Sequence, residues 1–419
     1  MNQIIYPSVF EGSIKAPPSK SYLQRAIAIA VMANHAMEID GYAPSKDVDA
    51  AIAIAKNLGA EVEIHPQKII LKGNFNVAKT SAIHCGESGL SARMFAPIAA
   101  LKEENINITG EGSLLKRPMY MIIDALQQLG KSVNSQKGFL PLKISGKLIT
   151  QTIHIDASES SQLLTGLLMA LPFANGNSEI IVVRLNSIPY IQMTLDILQQ
   201  LGIKIQHTNF QHFFIEGNQR VKARSYIAEG DWSGAAFHLV AAAIAGKVNI
   251  EGLHKNTLQA DKAILQVLEK VGANIHWLNE NSVQIQKNKL QAFEFDATHC
   301  PDLFPPLAAL AANCYGLSKI KGIKRLLHKE SNRALSIQLE LQKLGIHVEL
   351  NNDEMCIDGG NISGGKIYSH NDHRIAMMAA VLALNANAPV EIEDAEAIQK
   401  SYPAFLDDFI SCQKNRLKA

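Results

Sequence analysis

Six stretches of the chain share one layout: a few polar residues run into an Ala-rich apolar segment, and the arrangement returns about every 70 residues. They read SKSYLQRAIAIAVMA from Ser19, ESGLSARMFAPIAAL from Glu87, SSQLLTGLLMALPFA from Ser160, DWSGAAFHLVAAAIAG from Asp231, DLFPPLAALAANCYG from Asp302 and DHRIAMMAAVLALNA from Asp372. Being apolar on nearly every side, each predicts a helix sunk inside a core. The polar start is then a helix N-terminus, where unpaired N–H groups and the macrodipole favour anions. Six such ends, bearing Lys20, Arg25, Arg93, Gln162, His373 and Arg374, point to a site for a small, multiply charged anion.

A second pattern interleaves with the first. An amphipathic helix, a Gly and a short alternating strand recur around Gly59, Gly130, Gly202, Gly272 and Gly345, at spacings of 71, 72, 70 and 73 residues. Periodicity of this kind governs the whole architecture. Each Gly is expected in the left-handed conformation that stops a helix, and the alternation after it predicts a strand with one buried face. The sixth unit has no such Gly and ends in YPAFLDDFISCQ, so it reads as truncated. Each unit is thus strand–helix–strand–helix–strand, with room for one strand more. The fold class is α/β, in two domains of three units each, because 419 residues are many for one core. The boundary is expected near RVKARSYIAEG.

Composition narrows the function classes. The chain is 47% apolar and 19% charged with a formal net charge of +1, and no basic run or stripe suggests nucleic acid. Its longest apolar run, LLTGLLMALPFA, is too short for a membrane span. The start MNQIIYPSVFEG lacks a charged-then-apolar signal pattern. The five cysteines form no CxxC pair, which predicts reduced thiols in a cytoplasmic protein.

Residues able to do chemistry gather at the starts of the repeats. APPSKSYLQR brings Lys20, Ser21 and Arg25 to one helix start; GEGSLLKRP sets Arg117 before a Pro; SESSQ offers Ser160, Ser161 and Gln162; LNSIPY offers Ser187 and Tyr190. HCPDLF, HKESNR, HNDHR and IQKSYP contribute Asp302, then Lys329, Glu330 and Arg333, then Asp372, His373 and Arg374, and finally Lys400. Singly these are weak signals. Lys20-Ser21 is not a P-loop, which needs GxxxxGK[ST]. SSQ alone reads as a helix cap. His370 and His373 have no HExxH or matched Cys/His set beside them, so no metal is expected. Their recurrence at corresponding points of successive repeats is what counts, since a structural repeat has no need of Lys and Arg at the ends of buried helices.

The ordered series SKSxxxR, GxSGxxxR, KRP, SSQxLTxLLMALP, SIPYIxxTLxxLxxLG, EGDWSGAA, PDxxPxxAALAA, KESNR, NDHRxAM and KSYP resembles the 5-enolpyruvylshikimate-3-phosphate synthase family, from about Ser13 to about Phe409. The resemblance implies two domains of three βαβαββ units, spanning 20–227, and 1–19 with 228–419, with crossovers near 15–20 and 226–231. It implies an active site in the interdomain cleft, and transfer of the enolpyruvyl group of phosphoenolpyruvate to the 5-hydroxyl of shikimate 3-phosphate with release of phosphate. It implies a monomer with no cofactor.

By the same resemblance, Asp302 takes the general-base position and Glu330 the proton-donor position, while Lys20 lies between the substrates. Shikimate 3-phosphate is expected at Lys20, Ser21, Arg25, Ser160, Ser161, Gln162, Ser187, Asp302, Arg325 and Lys329. Phosphoenolpyruvate is expected at Lys20, Gly89, Arg117, Gln162, Arg333, Arg374 and Lys400, where the phosphonate glyphosate competes in this family. Glu87, Leu90, Arg325, Leu327 and Asn332 depart from the family's usual residues, and Arg93 is the expected partner of Glu87. Two other readings exist. The sister enolpyruvyl transferase acting on UDP-N-acetylglucosamine carries Lys-Asn where this chain has Lys20-Ser21, and a Cys where it has GEGSLLKRP. A non-catalytic repeat scaffold would not load its helix ends with basic residues.

Overall fold

In the computed structural model, which describes residues 1–76 and 81–415, the six Ala-rich stretches are helices spanning Lys20–Ala30, Gly89–Ala99, Gln162–Ala170, Trp232–Ala245, Phe304–Ala312 and His373–Ala383. Nearly every residue of each is buried, including Ala and Gly on all sides. Small side chains let these helices touch backbone to backbone. A Cβ on Gly166 would lie 2.5 Å from the carbonyl oxygen of Arg93, so the second and third helices leave no room for a larger residue there. Capping fixes several of the starts: Ser88 accepts from Ser91 N–H, Asp231 from Ser233 N–H and Asp372 from Arg374 N–H.

The chain falls into two compact units, Lys20–Ala228, and Met1–Ser19 with Glu229–Ala419. In the first, three four-stranded sheets repeat one topology. A strand pairs parallel with its neighbour, which pairs antiparallel with the outer part of a hairpin. The sheets run Ser225–Ile227, Ala36–Asp40, Lys68–Lys72, Glu61–His65; Ala82–His84, Ile106–Thr109, Phe139–Ser145, Ser132–Gln136; and Thr152–Ala157, Ser178–Leu185, His212–Ile215, Gln206–Thr208. Parallel neighbours need a crossover helix, and the buried helices supply it. Strand faces alternate, as in Thr152–Ala157, where every second residue is buried.

The second unit repeats the plan with two alterations. Val9–Lys15 lies parallel to Gly246–Glu251 in a sheet completed by Ser282–Gln286 and Asn274–Asn279, and extended by Gln413–Lys414. Glu294–Asp296, Leu317–Lys321, Glu354–Asp358 and His347–Asn351 form an ordinary copy. The truncated sixth unit has Gly365–Tyr368 parallel to Val390–Glu393, and its antiparallel strand is Gln3–Ile5 from the other end of the chain.

The amphipathic helices Lys46–Asn57, Tyr120–Gln128, Ile188–Gln200, Ile264–Lys270 and Arg333–Lys343 each run out toward a Gly with positive φ, from 79° at Gly130 to 98° at Gly59. Only Gly adopts this conformation without a Cβ clash, which explains the regular spacing in the sequence. Each unit has its own core. One is built on Phe95, Leu167 and Phe213, the other on Phe10, Trp232, Phe304 and Phe409.

Candidate active site

The candidate residues form two groups, one on each unit. In Lys20–Ala228, side-chain bonds stitch the three polar helix starts together. Gln24 donates to the carbonyl of Asp47 and to Ser88 Oγ and Ser91 Oγ, at 3.0–3.1 Å. Arg25 is buried; its Nε donates to Thr194 Oγ1 at 3.0 Å and its Nη1 to the Ser21 carbonyl at 2.9 Å. Burial pulls the Arg25 guanidinium down to about 10, partly offset by Tyr22, Tyr190 and Tyr226, and it remains a cation at neutral pH. Lys20 Nζ meets Asp47 Oδ2 at 2.9 Å, with both side chains mostly buried.

Arg93 donates from Nη1 to the Gly89 carbonyl and to Gln162 Oε1, and from Nη2 to the Pro118 carbonyl. Gly89 is hemmed by cations: a Cβ there would stand 2.7 Å from Arg117 Nη1 and 2.9 Å from Arg93 Nη1. Ser160 Oγ accepts from Gln162 N–H, Ser161 is the residue before the helix, and Ser187 sits at φ +59° before Ile188–Gln200. Here Lys20, Arg25, Arg93 and Arg117 outnumber the one carboxylate, Asp47, that bonds to Lys20.

Glu87 does not depend on Arg93 as the sequence suggested. Its Oε2 accepts from Ser113 N–H and Ser113 Oγ, and that hydroxyl in turn accepts from Arg117 Nη2 at 3.3 Å. The carboxylate therefore caps the turn that carries Arg117. Gly112, at φ +55°, makes this possible, because a Cβ there would collide with Glu87 at 2.4 Å.

The second group is a dense ionic cluster. Asp302, in the 3-10 turn Pro301–Leu303, accepts from Lys329 Nζ at 3.2 Å, Arg333 Nη1 at 2.9 Å and Arg374 Nη2 at 3.1 Å. Arg333 is wholly buried and also donates to Glu330 Oε2 at 2.6 Å and to Asp372 Oδ2 at 2.9 Å. Burial pushes the Asp302 carboxyl up, but Arg374, Lys329 and Arg333 outweigh it and hold it well below the usual carboxylate range. Burial also lowers Arg333, and Asp372, Glu330 and Asp302 reverse this, fixing it as a permanent cation. Arg325 donates to the Thr298 carbonyl at 3.3 Å, and Lys400 is buried at the end of the turn Ala395–Lys400.

Several participants carry no signal in the sequence. Asp47 lies in the first turn of an amphipathic helix, with nothing to mark its bond to Lys20. Asp261, buried, accepts from Ser233 Oγ, and burial together with the charge of Asp302 pushes it up to about 7. Glu340 is another buried carboxylate inside an amphipathic helix. No described helix is long and apolar enough to cross a membrane.

A family model described as EPSP synthase (3-phosphoshikimate 1-carboxyvinyltransferase) matches residues 6–409. The chain is 37% identical to the 3-phosphoshikimate 1-carboxyvinyltransferase of Clostridium kluyveri, over 97% of this chain and 96% of that one. It is 36% identical to a protein of the same description from Clostridium perfringens, over 97% of each. Among solved structures it is similar to an EPSP synthase from Acinetobacter baumannii, with a TM-score of 0.83, 24% identity, and 99% and 98% of the two chains covered. It is also similar to the enolpyruvyl transferase NikO from Streptomyces tendae, with a TM-score of 0.79, 14% identity, and 98% and 97% covered. At these identities the two structures speak to the fold alone.

Proposed function

The chain belongs to the EPSP synthase family, and from that premise we propose that it transfers the enolpyruvyl group of phosphoenolpyruvate to the 5-hydroxyl of shikimate 3-phosphate, releasing phosphate, with residues of both units serving one reaction. The observation that carries the assignment of roles is the Asp302 cluster. A base for the 5-hydroxyl must be ionised at neutral pH, and the three cations around Asp302 keep it so.

In this reading Glu330 delivers a proton to the methylene carbon of phosphoenolpyruvate. Its bond to Arg333 favours the carboxylate, so the donor form has to be reached when substrate arrives. A substrate carboxylate at Arg333 and Arg374 competes for the guanidinium and adds negative charge nearby, and both effects favour a protonated Glu330. Arg suits this site because its fork binds two oxygens at once. Lys400 adds a third cation at the carboxylate end.

The cation-rich group takes the phosphates. Arg117 and Gln162, with the open face of Gly89, receive the phosphate of phosphoenolpyruvate. Ser160, Ser161 and Ser187 receive that of shikimate 3-phosphate, with Arg325 and Lys329 at its ring side. Arg25 and Ser21 hold its carboxylate, and Lys20 bridges both substrates. Positive charge in a low-dielectric site offsets the repulsion of two anions and stabilises the developing charge. The five free cysteines fit a protein of a reducing compartment, and we assign it to the cytoplasm as a monomer.

The test is phosphate release on mixing the purified protein with shikimate 3-phosphate and phosphoenolpyruvate. Release that requires both is the expected result. Release with UDP-N-acetylglucosamine in place of shikimate 3-phosphate would favour the sister reaction, and none with either acceptor would refute the transferase assignment.

A further inference from the structure

Arg333 is the most heavily bonded side chain of the Asp302 cluster, and its place depends on Asp372, the cap of the helix His373–Ala383. Asp372 follows an unusual backbone step. His370 and Asn371 both lie in the left-handed region, at φ +54° and +53°. Asn adopts this region readily and His more often than most residues, but two in succession need outside support.

That support comes from the helix that carries Arg333. Glu340 lies seven residues along it, two turns on and on the same face. Its side chain is buried; it accepts from His370 Nε2 at 2.6 Å, from the Tyr368 N–H at 3.0 Å and from Lys343 Nζ at 2.8–2.9 Å. One helix therefore grips the segment 368–372 at two points, through Arg333 at Asp372 and through Glu340 at His370 and Tyr368. A single contact would leave the segment free to pivot about it, whereas two contacts a pair of helical turns apart fix both its position and its direction.

We propose that Glu340 and His370 are positioning residues for the reaction: their contact sets the left-handed step that aims Asp372 at Arg333, and so orients the guanidinium toward the carboxylate of phosphoenolpyruvate. The substrate assignment rests on the function proposed above; the mechanical coupling does not.

The variants that test this are His370→Asn and His370→Gln. Asn tolerates the left-handed step but is too short to reach Glu340, while Gln offers a longer N–H donor. Two readouts are needed: steady-state constants for phosphoenolpyruvate beside a binding titration of shikimate 3-phosphate, and the NMR signal and exchange protection of the Arg333 Nε–H bonded to Asp372. In His370→Asn the KM for phosphoenolpyruvate is expected to rise about tenfold, the shift that loss of one good charge-assisted hydrogen bond gives. Shikimate 3-phosphate binding should be unchanged, and the Arg333 Nε–H should lose protection. His370→Gln should recover much of both effects. An Arg333 signal and a KM left as in the parent would overturn the proposal, as would losses that follow thermal stability alone in both variants. If the parent protein shows no turnover, the functional reading fails and the Arg333 signal alone decides the coupling.

Discussion

Gly89 faces Arg117 so closely that a single added carbon would lie 2.7 Å from a guanidinium nitrogen. The neighbour it meets is the far end of a flexible side chain, so the protein can yield, but only by moving the group proposed to hold a phosphate. Gly89→Ala is therefore expected to fold normally and to raise the KM for phosphoenolpyruvate. It should weaken inhibition by glyphosate, which is longer than phosphoenolpyruvate, by a larger factor. Inhibition kinetics on the two proteins provide the check, and equal losses for both ligands would remove Gly89 from the site.

Gly166 gives the contrasting case. Its missing Cβ would meet the Arg93 carbonyl at 2.5 Å and Met94 Cα at 2.9 Å, both backbone. Backbone cannot swing aside, so Gly166→Ala should push apart the helices Gly89–Ala99 and Gln162–Ala170. The expected destabilisation is about 1–3 kcal/mol, the usual range for overpacking. Chemical denaturation compared with Gly89→Ala measures it, and the order of the two variants should be unambiguous.

Asp302→Asn and Glu330→Gln keep side-chain size and remove a proton-transfer group. Each should lower kcat by roughly 10²–10⁴-fold, the general range for acid–base catalysis. Shikimate 3-phosphate affinity, measured by titration, should stay within a small factor, because most of its proposed ligands lie on the other unit. Near-normal turnover in both would sink the role assignment.

His238 predicts a pH dependence. It is fully buried among Phe10, Phe405 and Phe409, with Nε2 3.3 Å from Tyr402 Oη, and burial lowers it from 6.5 to about 3. The folded state thus takes up its proton later than the unfolded chain. Its contribution to stability is full above 6.5 and is lost progressively as pH falls toward 3, at up to about 1.4 kcal/mol per pH unit. Asp302, also depressed, adds a separate loss only below its ordinary value of 3.8. Thermal unfolding across pH 8 to 4 should show Tm dropping below about 6.5, and His238→Phe should flatten that limb.

The six core helices were legible because a segment that is apolar on every side can only be interior, and their polar starts mark where each core ends. The five Gly stops were legible because positive φ leaves Gly as the residue of choice. What the sequence hid is non-local or locally ordinary. Asp47 reads as a first-turn acid on a surface helix, yet it bonds Lys20 across 27 residues. Glu340 sits in a helix whose pattern leaves a carboxylate unremarkable. The Glu87 error has the same root. Six residues along the chain suggested Arg93, whereas the fold brings Ser113 from a turn 26 residues away. The third strand of the sixth sheet was invisible because Gln3–Ile5 is three residues long and its partner is almost 390 residues distant.

That distant pairing sets the order in which the molecule is completed. Gln3–Ile5 and Val9–Lys15 are among the first segments to leave the ribosome, yet the partners of the earlier one, Val390–Glu393, are among the last. Lys20–Ala228 has its strands and core within one continuous stretch and can fold while synthesis continues. The leading segment must meanwhile travel unpaired, with its strand edges open. Its charged and polar residues, Glu11, Ser13 and Lys15 among them, are then as much a protection for a waiting strand during translation as a surface for the finished protein.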